Sequence, residues 1–147
     1  MSKSCAPFAE QNLMVAARPA WPAWRGSGCI LVIDDDGPIR TVVARSAARV
    51  GFTVDQASDG QQAIALFESN PARYTLVILD FKLPGMDGTE VVSRLRQLRP
   101  DIRVILTSGF SRQEAMEEFL GLGIAGFLQK PFALETLVSE MRAALDA

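Results

Sequence analysis

Six side chains in this sequence are of the right types to act together: Asp34, Asp35, Asp36, Asp80, Thr107 and Lys130. Each stands at the end of a short apolar run: Cys29-Ile30-Leu31-Val32-Ile33 before the three acids, Leu76-Val77-Ile78-Leu79 before Asp80, Val104-Ile105-Leu106 before Thr107, and Gly126-Phe127-Leu128-Gln129 before Lys130. Adjacent carboxylates such as Asp34 and Asp35 repel one another and raise each other's pKa unless a cation compensates. With Asp80 they form an oxygen-only donor set, which suits magnesium, a hard cation that uses few protein carboxylates and keeps several waters. Lys130 supplies a mobile positive charge and Thr107 a hydroxyl donor, and either can hold an oxygen of an anion such as a phosphoryl group. Taken singly, each has an ordinary explanation: a helix cap for Asp36, a snorkelling surface lysine for Lys130, a backbone-bonded hydroxyl for Thr107. Asp36 keeps that reading. For the others, coincidence at four strand ends favours a shared site.

Bringing these groups to one place requires strands that end at a common edge, and the sequence carries that pattern. Cys29–Ile33, residues 75–79, residues 103–106 and Gly126–Gln129 are short apolar runs suited to strands buried on both faces, and residues 52–57 read as a further strand. Helical spacing separates them. Ile39, Val42, Val43, Ser46, Ala47 and Val50 follow Pro38 and end at Gly51. Ala63, Ile64, Leu66 and Phe67 follow a cap at Asp59 and stop at Asn70-Pro71, and Val91, Val92, Leu95 and Leu98 are closed by Pro100. Residues 112–120 form a fourth helical stretch, and Leu134, Leu137, Val138, Met141 and Leu145 mark a fifth. Five strand-helix pairs predict an α/β fold, a doubly wound five-stranded parallel sheet covered by helices on both faces. Its ligands belong outside the carboxyl ends of the strands, where strand order reverses.

Residues 1–28 differ from the rest. They hold Pro7, Pro19, Pro22, Trp21, Trp24 and Arg25-Gly26-Ser27-Gly28 without a sustained period, and read as a linker or flanking extension, with a short helix expected over residues 9–18. The two tryptophans are candidates to dock on the domain. The remaining 29–147 is expected to be one domain, since 147 residues at 48% hydrophobic can bury one core.

Composition narrows the chemistry. The chain has no histidine, which rules out Ser-His and Cys-His nucleophile pairs, histidine-ligated metals and a phosphohistidine within these residues. A formal charge of −2 gives no reason to expect wholesale binding to nucleic acid or to acidic membranes. Cys5 and Cys29 form neither a disulfide framework nor a zinc pattern, and no apolar stretch approaches the roughly 18 residues of a membrane span, so a cytoplasmic location is expected.

Ile30-Leu31-Val32-Ile33-Asp34-Asp35-Asp36 with Arg40, the stretch from Asp80 to Gly88, Val104-Ile105-Leu106-Thr107-Ser108, and Gly126-Phe127-Leu128-Gln129-Lys130-Pro131-Phe132 together resemble the receiver domain of two-component response regulators. The resemblance covers essentially residues 29–147. It implies a flavodoxin-like (βα)5 fold and a phosphoacceptor role in a phosphorelay: Asp80 takes a phosphoryl group from a phosphohistidine of a sensor histidine kinase or a histidine phosphotransfer protein, in a reaction dependent on Mg2+, and hydrolysis later resets the switch. Such a chain is a self-dephosphorylating switch rather than an enzyme. The resemblance further implies Asp35, Asp80 and the backbone carbonyl of Lys82 as metal ligands, with Asp34 binding a metal-coordinated water. Thr107 and Lys130 would contact the phosphoryl group, Thr107 and Phe127 would be the readout pair, and the Lys130-Pro131 bond would be cis.

Some positions tune that pattern. Lys82, two residues after Asp80, is expected to overhang the site and alter water entry, and Phe127 lacks the hydroxyl of a tyrosine. Arg94, Arg96, Arg99 and Arg103 are expected to form a solvated helix face rather than a nucleic-acid surface. Residues 24–28 and Thr107-Ser108-Gly109-Phe110 resemble the C-terminal receivers of hybrid sensor histidine kinases, the alternative being a stand-alone receiver. A homodimer or partner contact is expected through the fourth helix, last strand and fifth helix. Two other classes stay open: a pseudo-receiver that only binds partners, and an aspartyl-phosphate phosphatase. Asp80-Phe81-Lys82 lacks the second acid of the latter, and the former typically loses acidic or lysine members retained here.

Overall fold

The computed structural model describes residues 24–146; the helix expected over residues 9–18 and Trp21 lie outside the described residues. The chain runs β1 (Cys29–Ile33), α1 (Gly37–Arg49), β2 (Thr53–Ala57), α2 (Gly60–Ser69), a 3-10 turn (Pro71–Arg73), β3 (Tyr74–Asp80), α3 (Gly88–Leu98), β4 (Val104–Ser108), α4 (Arg112–Glu118), β5 (Gly126–Gln129) and α5 (Leu134–Asp146). All strands are parallel, in the order β2-β1-β3-β4-β5. This is the expected flavodoxin-like order, and it reverses direction between β1 and β3, whose ends carry the acids.

Alternation along the strands divides the core in two. Leu31, Ile33, Val77, Leu79, Val104 and Leu106 face α2, α3 and α4, meeting Phe67, Val91, Leu95 and Phe119. Ile30, Val32, Leu76, Ile78 and Ile105 face α1 and α5, meeting Val43, Ala47, Leu137 and Met141. Asp36 and Asp59 cap α1 and α2 as expected, and the structure adds Asp87 and Ser111 as the caps of α3 and α4, Ser111 completing a reciprocal capping box with Glu114. At the other end of α1, Gly51 adopts φ 111°, a conformation that only glycine takes without strain.

Residues 24–28, expected as part of a flank, dock on this core. Gly26 donates its N–H to the Val50 carbonyl at 2.7 Å, Arg25 donates to the Arg49 carbonyl at 3.0 Å, and the Trp24 ring packs on Phe52 with centroids 5.9 Å apart. They satisfy carbonyls that the end of α1 leaves open. A Cβ on Gly26 would fall 2.0 Å from the ring of the buried Phe52. Gly26→Ala is therefore expected to cost about 1–3 kcal/mol through overpacking, read as a lower midpoint in urea, and an unchanged midpoint would show that the strap carries no stability.

Three expectations shift. Val42 and Leu98, counted in the apolar helical spacings of α1 and α3, are 49% and 38% exposed, because α1 buries Val43, Ala44, Ser46 and Ala47 and α3 buries Val91, Val92 and Leu95 instead. Arg96 and Arg99 are not simply solvated. Arg96 donates to the carbonyls of Ile102, Leu122 and Gly123, tying α3 to the loops that lead into β4 and β5. Arg99 donates to the carbonyls of Pro71 and Tyr74 as well as to Asp101, closing the amino-terminal side of β3. Free carbonyls at loop ends need donors, and a guanidinium can serve several at once.

Candidate functional site

Asp34 and Asp35 follow the last residue of β1, Asp80 ends β3, Thr107 lies in β4 directly beside Asp80 in register, and Lys130 follows β5. The parallel sheet carries all of them to its carboxyl edge, at the point of strand reversal. Asp34 and Asp80 are buried and Asp35 is exposed, yet one carboxylate oxygen from each lies within 4.8 Å of the others. Lys130 Nζ bridges the two buried acids, 3.0 Å from Asp34 Oδ2 and 3.2 Å from Asp80 Oδ1. The Lys130 N–H bonds the Ser108 carbonyl at 2.6 Å, fixing the base of that side chain, and the Lys130-Pro131 bond is cis as expected.

Electrostatics follows from this enclosure. Burial, followed by the charge of Asp34, pushes the Asp80 carboxyl up to about 6, against the opposing pull of Lys130. Burial acts to lower the Lys130 value, but hydrogen bonds and charges from Asp34 and Asp80 outweigh it and hold the ammonium above the usual lysine range. Three carboxylates against one ammonium leave two negative charges, the charge of one divalent cation, and the donors are all hard oxygens. The residues thus fit a divalent metal.

Asp36 is the N-cap of α1, its Oδ1 accepting the Ile39 N–H at 3.1 Å, as expected. Arg40 positions Asp34, donating to its carbonyl at 2.7 Å while also bonding Gln56 at 3.2 Å. Lys82 does not join the carboxylates: its ammonium lies 5.4 Å from the Phe110 ring centroid and 5.8 Å from that of Phe81. Phe127 is buried in β5 rather than at the carboxylates, with the Arg112 guanidinium 6.0 Å from its ring and its N–H donated to Glu140 at 3.2 Å. Glu140 and Phe110 carried no assigned role in the sequence. Glu140 gave no signal beyond an acid beside the apolar stripe of α5, and Phe110 entered only as the last residue of the Thr107-Ser108-Gly109-Phe110 resemblance, without a contact of its own.

This arrangement can hold a divalent cation and an anionic group side by side, with the Asp80 carboxylate buried between them. The chain is 39% identical over 118 residues to response regulator MprA of Mycolicibacterium vanbaalenii, covering 79% of this chain and 49% of that protein. It is 30% identical over 121 residues to sensor kinase CckA of Brucella abortus, covering 82% of this chain and 13% of that protein. The chain thus spans about half or less of the curated relatives it matches. Among solved structures it resembles chemotaxis protein CheY4 of Vibrio cholerae, with a TM-score of 0.75 and 29% identity over 82% of this chain and all of that one. Residues 30–142 match the response regulator receiver domain model, and the chain belongs to that family of two-component signalling domains.

Proposed function

We propose that Asp80 accepts a phosphoryl group from a phosphohistidine on a partner kinase or phosphotransfer protein, and that the resulting acyl phosphate alters partner contacts until water removes it. The observation that carries this reading is the Lys130 ammonium set between two buried carboxylates beside an oxygen-only donor cluster. Asp35, Asp80 and the Lys82 carbonyl would hold magnesium, with Asp34 bonding one of its waters. When bound, the metal supplies positive charge to the phosphoryl oxygens.

The protein's own groups then have distinct tasks. An Asp80 carboxylate oxygen attacks phosphorus as the bond to the histidine nitrogen breaks, and the leaving electron pair returns to the imidazole of the donor. Lys130 exchanges one carboxylate partner for a phosphoryl oxygen, and the Thr107 hydroxyl donates to another. Thr107 and Phe127 form the readout. The donor is proposed to dock against the groove lined by Pro38, Ile39, Val42, Phe132 and Leu134, which has Lys130 at its rim and leaves Val42 exposed. Lys130 belongs both to that groove and to the carboxylate site, so a donor seated there would bring its histidine towards Asp80.

The protein acts here as acceptor and switch rather than as an enzyme on a separate substrate, in the cytoplasm; no helix among the described residues is long and apolar enough to cross a membrane. Incubation with a small-molecule phosphodonor and Mg2+, followed by intact mass, is expected to show one phosphoryl adduct that is absent without Mg2+ and absent from Asp80→Ala. An adduct that persists in Asp80→Ala would place the chemistry elsewhere.

A further inference from the structure

Lys82 is the one cation that the sequence set at the mouth of the site and the structure holds aside. It is exposed, two residues from Asp80, and its ammonium rests against two aromatic rings. Those rings are themselves fixed. Phe81 is buried and meets Phe119 at 5.7 Å, and Phe110 stands edge-on to Phe81 at 5.7 Å and 74°. The Phe110 backbone is pinned by its N–H donated to Ser108 Oγ at 2.8 Å, in the loop directly after the strand that carries Thr107. Phe110 is nevertheless 43% exposed, so the ammonium stays hydrated while held and the contact is weak enough to exchange.

We infer that Phe110 is a positioning residue that sets the lifetime of the phosphorylated state by parking Lys82 away from the acyl phosphate. This deepens the phosphoacceptor reading of Asp80 and rests on it. In hydrolysis the water oxygen bonds phosphorus, the bond to the Asp80 oxygen breaks with its electron pair returning to the carboxylate, and both water protons leave with inorganic phosphate as dihydrogen phosphate. The water enters opposite the departing Asp80 oxygen, from the solvent side. A lysine on a flexible four-carbon stem, once freed, pairs with the phosphoryl oxygens on that side and obstructs the water. Held on Phe110, it leaves the path open. The rings therefore favour a short lifetime, and loop movements that displace Phe110 lengthen it.

The test is the decay of purified phosphoprotein, followed by intact mass after donor removal, in the parent and four variants. Phe110→Leu, which keeps apolar packing but loses the ring face, is expected to slow decay roughly two- to fivefold, the size of an exposed cation–π contact. Phe110→Tyr should decay like the parent. In a Lys82→Ala background, Phe110→Leu should change nothing, since no ammonium remains to be released. Slowing of equal size with and without Lys82 would make Phe110 a packing residue only and overturn the proposal, as would unchanged decay in Phe110→Leu. No adduct on the parent would overturn the phosphoacceptor reading itself, which is a separate result from an adduct with an unaltered lifetime.

Discussion

Replacing Asp80 with asparagine is expected to make the metal-free protein more stable, by about 1–3 kcal/mol at neutral pH. The carboxyl sits among buried groups, with its value pushed up from 3.8 to about 6 by burial and by Asp34. The folded state thus holds the Asp80 proton more tightly than the unfolded chain does. Stability of the parent falls as pH rises from about 4 towards 6, where the folded state must ionise a group that the unfolded chain has already ionised, and is flat beyond. Asparagine removes that slope. Urea denaturation at pH 4, 5 and 7 in a chelator should show parent and variant close together at the acid end and diverging towards neutrality. Adding Mg2+ should then stabilise the parent much more than the variant, because a ligand that binds only the folded state adds to its stability. A variant less stable than the parent at pH 7 would mean that the Asp80 carboxylate is compensated within the protein alone.

Replacing Lys130 with methionine is expected to have the opposite sign. It removes the shared cation of two buried carboxylates while keeping the volume of the stem. The cost is about 2–4 kcal/mol at neutral pH, since uncompensated buried charges are left behind, and it should shrink as acid protonates Asp80. Phosphoryl transfer should fall roughly 10²- to 10³-fold, as for loss of one preorganised charge partner in a transition state. A saturating divalent cation should recover much of the stability, because the ammonium no longer competes for the same oxygens, but not the rate. Recovery of both on adding Mg2+ would reduce Lys130 to a placeholder for the metal.

The fold was legible because each layer of the sequence said the same thing. The apolar runs, the helical spacings between them and the capping acids all agreed, and a parallel sheet with four crossovers leaves few orders to choose from. Boundaries moved by a residue or two, as for β3, which begins at Tyr74 and includes Asp80. The position of the site was legible for the same reason: residues at strand ends of a doubly wound sheet converge whatever their separation in sequence. What stayed hidden depends on side-chain reach. Nothing in the order of residues says that Arg96 and Arg99 bend back to loop carbonyls, or that Lys82 turns to Phe110 rather than to Asp80. Val42 was misassigned because helical period alone does not say how wide a face the neighbouring strands will cover.

Lys130 meets Asp34 across 96 residues of chain and Asp80 across 50, and β5 joins the sheet only at its outer edge, beside β4. During synthesis, Asp34 and Asp80 emerge long before the lysine that neutralises them. Until β5 docks, the pocket is two like charges with nothing between them. Such distant, parallel contacts form late, because the loops that separate them must close before any contact rewards the closure. On the proposed function, competence to receive a phosphoryl group would therefore report completion of the sheet. A half-made chain would carry Asp80 without the ammonium set beside it, so on the phosphoacceptor proposal premature transfer would be slowed by the order in which the fold is assembled.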